Sequence, residues 1–215
     1  MRITRETKLF EYTDKVVKTY LKQILKAFRR MQRRTITAFD EANVMLAVNS
    51  DWRGIMALIV EALKKIAAYY YRAALRTCGI KRRIDDFVVD AWLMGLLDDL
   101  DYVTHYQFNN EADRKRARLI EAVLSVFTGV EKKKQIDIAM RYLVRQFEQT
   151  ADNVTSAAVI HGYEDAGIEK VEWVTQRDEK VCEECLPLDG KVFPIDDCPP
   201  CPEHYNCRCF LLPVL

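Results

Sequence analysis

The C-terminal part of the chain concentrates the residues that can bind a metal ion. Six of the seven cysteines lie there, arranged as two Cys-x-x-Cys pairs and one Cys-x-Cys pair with a histidine close by. These residues are Cys182, Cys185, Cys198, Cys201, His204, Cys207 and Cys209. Cysteine and histidine at such spacings are typical of a structural zinc site. The pattern therefore predicts one bound zinc ion that stabilises the fold.

A disulfide framework is the competing interpretation of the same cysteines. The residues after Met1 are mixed in charge and contain no apolar export segment, so we expect a protein made for the cytoplasm. The reducing cytosol disfavours disulfides. No uncharged apolar run approaches the roughly 18 residues that a membrane span needs, so we expect no membrane contact. Zinc is therefore favoured over disulfides and over free thiols.

Two sets of four ligands fit the spacing. The first has the spacing of a zinc ribbon and consists of Cys182, Cys185, Cys198 and Cys201. In that set Pro199 and Pro200 remove two backbone N–H groups that would otherwise steady the thiolates. The second set consists of Cys182, Cys185, His204 and Cys207. Cys209 would then be a spare, pointing to the same side as Cys207 if that segment is extended. The residues alone leave both sets open.

Short β-like runs surround these ligands. They lie at residues 171–175, 191–195 and 209–214, with an Asp189-Gly190 turn between the first two cysteine pairs. About 45 residues with three short strands cannot bury enough surface to fold without a cross-link. We therefore expect residues 168–215 to form a small, zinc-stapled α+β module, that is, one held together by a bound zinc ion.

The rest of the chain is predicted to be helical. All six prolines lie between Pro187 and Pro213, and apolar residues upstream recur at helical spacing. Five helices are expected, one along Val17, Leu21, Ile24, Phe28 and Met31 and four more at Trp52–Thr77, Ile84 to about Tyr106, about Glu111–Phe127 and about Lys132–Glu164. Gly167 is expected to cap the last one. The predicted fold is mainly α, with a bundle of about five helices in residues 1–167.

Charge also divides the chain. Residues 1–150 carry 28 Lys and Arg against 19 Asp and Glu, whereas residues 151–215 carry 5 against 13. The first helix ends in a basic cluster formed by Lys26, Arg29, Arg30, Arg33 and Arg34. Such a face can lie along DNA phosphates or an acidic partner, or it can simply solvate the helix.

The C-terminal motifs follow one another in a specific order. A tryptophan strand is followed by an Arg-Asp pair, a Cys-x-x-Cys pair, a Leu-Asp-Gly turn and a His-x-Asn-Cys-Arg-Cys segment. They lie at Val171–Thr175, Arg177-Asp178, Val181–Cys185, Leu188–Phe193 and His204–Cys209. In this order they resemble the C-terminal signature of the Mu F-like head morphogenesis proteins, which are minor capsid proteins of tailed bacteriophages. The preceding helix also resembles the family, so the likeness covers about residues 145–212.

Two departures from the family pattern bear on the ligands. The Cys198-Pro-Pro-Cys201 pair is an addition to the usual pattern, and Tyr205 replaces a usual proline. Family members often lack the second Cys-x-x-Cys pair. The resemblance therefore implies that the zinc ligands are Cys182, Cys185, His204 and Cys207.

The resemblance implies a structural virion protein that associates with the portal protein and other capsid components. Its expected location is the capsid interior or portal vertex, after assembly in the host cytoplasm. Non-specific DNA contact through the basic cluster is a further expectation. The alternatives are a zinc-dependent nuclease or toxin-like enzyme and a zinc-ribbon DNA-binding regulator. A site with four protein ligands has no open position for water, and only His105 and His161 remain as other histidines. We therefore expect no catalytic residue and no small-molecule substrate.

Overall fold

The computed structural model describes residues 2–4, 8–38, 40–81, 86–98, 108–126, 128–176, 181–201 and 207–215. Five helices and three strands are present in this part of the chain. The helices are α1 (Glu11–Ile36), α2 (Glu41–Thr77), α3 (Asp86–Asp98), α4 (Phe108–Leu124) and α5 (Gly129–Glu164). The strands are β1 (Lys170–Val174), β2 (Val192–Pro194) and β3 (Phe210–Pro213). The predicted mainly α fold with a small three-stranded module is confirmed.

Helix α1 forms because its apolar residues recur on one side. Four of the five residues of the predicted stripe are buried, and Leu21 is half-buried at its edge. Glu11 and Asp14 lie in the first turn and Arg33 and Arg34 in the last, which is the charge order that the helix dipole favours.

Helix α2 begins eleven residues before the predicted Trp52. The side chain of Asp40 accepts a hydrogen bond of 2.8 Å from the backbone N–H of Asn43, which caps the first turn. The helix ends at Thr77 as predicted, and Gly79 follows with φ of +80°. This left-handed conformation costs glycine little, so the helix stops there.

Helix α5 is fixed at both of its ends. A capping box joins Thr128 and Glu131, so the helix starts three residues before the predicted Lys132. At its end Gly167 has φ of +72°, and the N–H of Ile168 bonds to the carbonyl oxygen of Tyr163. Gly167 is therefore the predicted C-terminal cap.

Helices α3 and α4 lie against the long helices. Trp92 of α3 stacks on His161 of α5 with ring centroids 4.8 Å apart, and Asp90 forms an ion pair with Lys64 of α2 at 2.7 Å. The predicted start of the third helix at Ile84 and its predicted extension to Tyr106, including the buried Leu100, lie outside the described residues. Helix α4 ends at Leu124, three residues before the end predicted at about Phe127.

Helices α1, α2 and α5 form the centre of the bundle. Helix α1 is antiparallel to α2, since Thr13 contacts Tyr70 at one end while Arg30 contacts Asp51 near the other. It is also antiparallel to α5, because Thr13 bonds to Thr155 and Gln32 bonds to Asp137. Helices α2 and α5 therefore run in the same direction. They approach closely at Gly162, where an added Cβ would lie 2.7 Å from the Cβ of Ala74.

The three strands form one antiparallel sheet in the order β2-β1-β3. Val171 and Trp173 of the central strand are fully buried. The sheet lies against the end of α5, where the hydroxyl of Tyr163 donates a 3.3 Å hydrogen bond to the carbonyl oxygen of Leu211. Buried residues of the bundle and of the sheet form one continuous core. Within the described ranges, none of the helices has the length and apolar character needed to cross a membrane.

Candidate metal centre

Three buried cysteines converge between the sheet and the bundle. The Sγ atoms of Cys185, Cys207 and Cys209 all lie within 4.8 Å of one another, and Cys185 and Cys207 are separated by 3.7 Å. The three residues are between 1% and 4% exposed. Sulfur atoms this close and this buried, without a disulfide between them, form a donor set suited to a soft or borderline metal ion.

The first cysteine pair is placed by a tight turn. The N–H of Leu186 bonds to the carbonyl oxygen of Cys182, and a 3-10 turn at Leu186–Leu188 follows, with Pro187 near its start. Within this turn the N–H of Cys185 donates to the Sγ of Cys182 at 3.2 Å. An N–H···S bond of this kind stabilises a thiolate that binds a metal.

The second cysteine pair is placed by the approach to β3. Cys207 and Cys209 are buried and Arg208 between them is exposed, which is the alternation of an extended chain. Strand β3 starts at the next residue, Phe210, and pairs with β1 from Val174 to Val171. The sheet therefore fixes the direction from which both sulfur atoms approach Cys185.

The electrostatics of the cluster disfavour bare thiolates. Burial, together with the adjacent Cys182 and Cys207, raises the pKa of the Cys185 thiol to about 12. The hydrogen bond with Cys207, reinforced by burial, raises the pKa of Cys209 well above its ordinary value. Several thiolates can share this space only if a cation neutralises them, because like charges at such distances repel strongly. The cluster therefore fits a metal ion that keeps the cysteines deprotonated.

The predicted ligands reach different positions. Cys185 and Cys207 belong to the three-cysteine group, and Cys182 adjoins it through its bond from Cys185. His204 lies outside the described residues. Cys209, which the sequence treats as a spare, is part of the group. The alternation of an extended segment was the signal that placed Cys209 beside Cys207.

Neither member of the additional Cys-x-x-Cys pair belongs to the three-cysteine group found among the described residues. Cys201 is buried and Cys198 is half-buried. Burial, with a contribution from Asp197, raises the pKa of Cys198 to about 11. Of the zinc-ribbon set, only Cys185 therefore belongs to the three-cysteine group among the residues that the structure describes.

A cleft lies beside the metal centre, between α1 and α5. It has a volume of about 570 Å³ and is lined by Asp14, Val17, Lys18, Leu21, Lys22, Leu25, Glu148 and Asp152. Burial first, and then the negative charges of Asp14, Glu148 and Cys207, raise the pKa of Asp152 to about 7. Burial also raises the pKa of Asp14, while Arg208 acts in the opposite direction. The cleft is thus electrostatically linked to the segment that carries Cys207 and Cys209.

The basic cluster of α1 divides into two groups. All five residues are exposed. Two of them, Arg30 and Arg34, form ion pairs with the buried carboxylate of Asp51. Lys26, Arg29 and Arg33 face away from the core and have no ion pair with any residue that the structure describes. These three residues are called the free basic face below. Together with Lys15, Lys18 and Lys22 they continue one side of the helix, at spacings of three and four residues.

Among the comparisons with known proteins, only the protein-family models gave a match. Residues 112–212 match the family model described as Phage Mu protein F like protein. Neither the curated proteins nor the solved structures gave a match. The matched range begins in α4 and ends in β3, so it includes α5, the sheet and all of the cysteines discussed above. The resemblance seen in the motifs is confirmed, since residues 112–212 of the chain are similar to the Phage Mu protein F like family.

Proposed function

We propose that the protein is a structural, non-enzymatic component of a tailed-phage head, which acts in head morphogenesis at the portal vertex. The observation that carries this proposal is the family match, which spans both the last long helix and the cysteine module. The family supports a role in phage head morphogenesis in general. The portal vertex, contact with packaged DNA and a bound zinc ion are the specific parts of the proposal.

The cysteine module supports a structural role for the metal. Zinc bound by four protein ligands cross-links the segments that carry them and leaves no position for a substrate. In this chain the cross-link joins the turn that follows β1 to the segment that precedes β3. It therefore ties together two segments that are far apart in the sequence of the module. The sulfur atoms are buried rather than open to a cleft, and this also favours a structural site over a catalytic one.

The bundle offers the larger surface for portal and capsid partners. Helices α2 and α5 contain 37 and 36 residues, whereas the three strands contain 5, 3 and 4. A stable protein interface buries about 800 Å² on each partner, which a module of this size supplies less readily than long helices do. We therefore propose that the bundle binds the portal and that the free basic face is available to DNA.

Co-expression with the cognate portal protein tests the proposal. We expect the two proteins to co-elute in size-exclusion chromatography at the size of a portal oligomer, and purified virions to contain this chain by mass spectrometry. A portal protein from an unrelated phage serves as the control and should not co-elute. A chain that stays separate from its own portal and is missing from virions would contradict the proposal.

A further inference from the structure

We propose that the metal is held by four thiolates, from Cys182, Cys185, Cys207 and Cys209, and that His204 is not a ligand. The inference rests on the proposed structural zinc site and states which donors form it. It replaces the histidine-containing set that the family resemblance implies. One local pair precedes the Leu186–Leu188 turn, and the other precedes β3.

The distances between the sulfur atoms support this set. Zinc binds sulfur at about 2.3 Å, so the edges of a tetrahedral four-sulfur site are about 3.8 Å long. Cys185 and Cys207 are already 3.7 Å apart, and Cys209 lies within 4.8 Å of both. The three sulfur atoms are therefore already close to the positions of three ligands on one face of a tetrahedron. Because Cys209 shares this face, it is a ligand rather than a spare.

Cys182 is the fourth donor that the local contacts favour. Its Sγ is fixed in the same turn as Cys185 by the 3.2 Å bond from the Cys185 N–H. A Cys-x-x-Cys turn facing a Cys-x-Cys segment thus supplies two sulfur atoms from each side of the ion. In contrast, Cys198 and Cys201 flank Pro199 and Pro200, which have no N–H to offer a thiolate.

X-ray absorption at the zinc edge tests the donor set on the wild-type protein. We expect four sulfur neighbours at about 2.3 Å and no nitrogen neighbour. Three sulfur atoms and one nitrogen would contradict the four-thiolate set while leaving the structural zinc site intact. A purified, folded and reduced protein that binds no zinc would instead overturn the zinc site itself. The two failures are therefore distinguishable without any variant.

Matched variants test the individual ligands. Removing a residue that hydrogen-bonds to a metal ligand lowers the metal affinity by about 10–100-fold. Removing a ligand itself should therefore lower the zinc affinity by at least about 100-fold. We expect Cys209→Ser and Cys182→Ser to weaken zinc binding by that factor in competition with a chelating dye. His204→Asn, Cys198→Ser and Cys201→Ser should each remain within about threefold of wild type, well short of that loss. A large loss with His204→Asn and none with Cys209→Ser would overturn the inference.

Discussion

The buried carboxylate of Asp51 on α2 forms an ion pair of 2.6 Å with the guanidinium of Arg30 on α1. Arg34, one turn further along α1, contacts the other oxygen of the same carboxylate at 3.1 Å. The Asp51 side chain is 2% exposed, whereas the two arginine side chains are 57% and 42% exposed. One buried acid thus joins the two helices and engages two of the five cations in the basic cluster.

Asp51→Ala should destabilise the bundle. The substitution removes two charge-assisted hydrogen bonds but leaves the arginines free to be hydrated, so we expect a loss of about 1–3 kcal/mol. Urea denaturation followed by circular dichroism measures the change. Asp113→Asn is the matched control, because the Asp113 side chain is 69% exposed in its pair with Arg116. The control should change the free energy of unfolding by less than about 0.5 kcal/mol, and an equal effect of both variants would contradict the role given to Asp51.

The free basic face should bind DNA without sequence preference. Each neutralised phosphate contributes roughly 0.9 to the slope of log affinity against log salt concentration. Replacing Lys26, Arg29 and Arg33 together with Gln should therefore lower the slope by up to about 2.7 and reduce the affinity. Fluorescence anisotropy with a labelled duplex at several salt concentrations measures both quantities.

The two remaining cations of the cluster provide the control for DNA binding. The double variant Arg30→Gln with Arg34→Gln should reduce the salt slope less than the triple variant, because these arginines bind Asp51. Its free energy of unfolding should fall instead. A wild-type protein without measurable DNA affinity at moderate salt would show that the free basic face only solvates α1 or meets an acidic protein surface.

Gly162→Ala should push α2 and α5 apart. An added Cβ would lie 2.7 Å from the Cβ of Ala74 and 2.9 Å from the carbonyl oxygen of Tyr71, and both neighbours belong to a packed helix. Overpacking of this kind costs about 1–3 kcal/mol, which should outweigh the gain from replacing a helical glycine. Gly95→Ala in α3 meets no atom within 4 Å and should instead stabilise by about 0.5–1 kcal/mol. Thermal denaturation of the two variants should therefore shift in opposite directions.

Asp152 should make the stability depend on pH. Burial first, and then Asp14 and Glu148, raise its pKa from 3.8 to about 7 in the folded protein. The folded state therefore binds this proton more tightly than the unfolded chain does. Its contribution to stability is fully present below about pH 4, declines as the pH rises toward 7, and is lost above that.

Asp152→Asn isolates this contribution. At pH 8 the variant should be more stable than wild type, by no more than about 4 kcal/mol for a shift of this size. The difference between the two proteins should shrink as the pH falls toward 5. Urea denaturation across this range, in zinc-saturated buffer, measures the difference. A difference that stays constant with pH would show that Asp152 titrates normally.

The helices were the most predictable part of the molecule. The spacing of Val17, Ile24, Phe28 and Met31 identifies a helix because burying one side is the main source of helical stability. The start of α2 was predicted too late, because the capping signal at Asp40 precedes a turn that mixes polar and apolar residues. Helix ends depend on such single hydrogen bonds and not on periodicity.

Relationships between distant residues were harder to infer. The sequence groups Arg30 and Arg34 with the free basic face, because nothing local shows that Asp51 meets them from another helix. The cysteine spacing predicted a metal site, but it did not decide which sulfur atoms converge. The pairing of β3 with β1 positions the segment that carries Cys209, whose Sγ lies near that of Cys185.

The length of the parallel pair α2 and α5 has a consequence for how the protein would act in an assembly. At about 1.5 Å per residue, α2 with its 37 residues is about 55 Å long. The cysteine module continues from the C-terminal end of α5, whereas the turn between α1 and α2 lies at the opposite end of the bundle. The bundle therefore places the cysteine module about 50 Å from the turn between α1 and α2. Two components of a larger particle that bound these two ends would therefore be held about 50 Å apart.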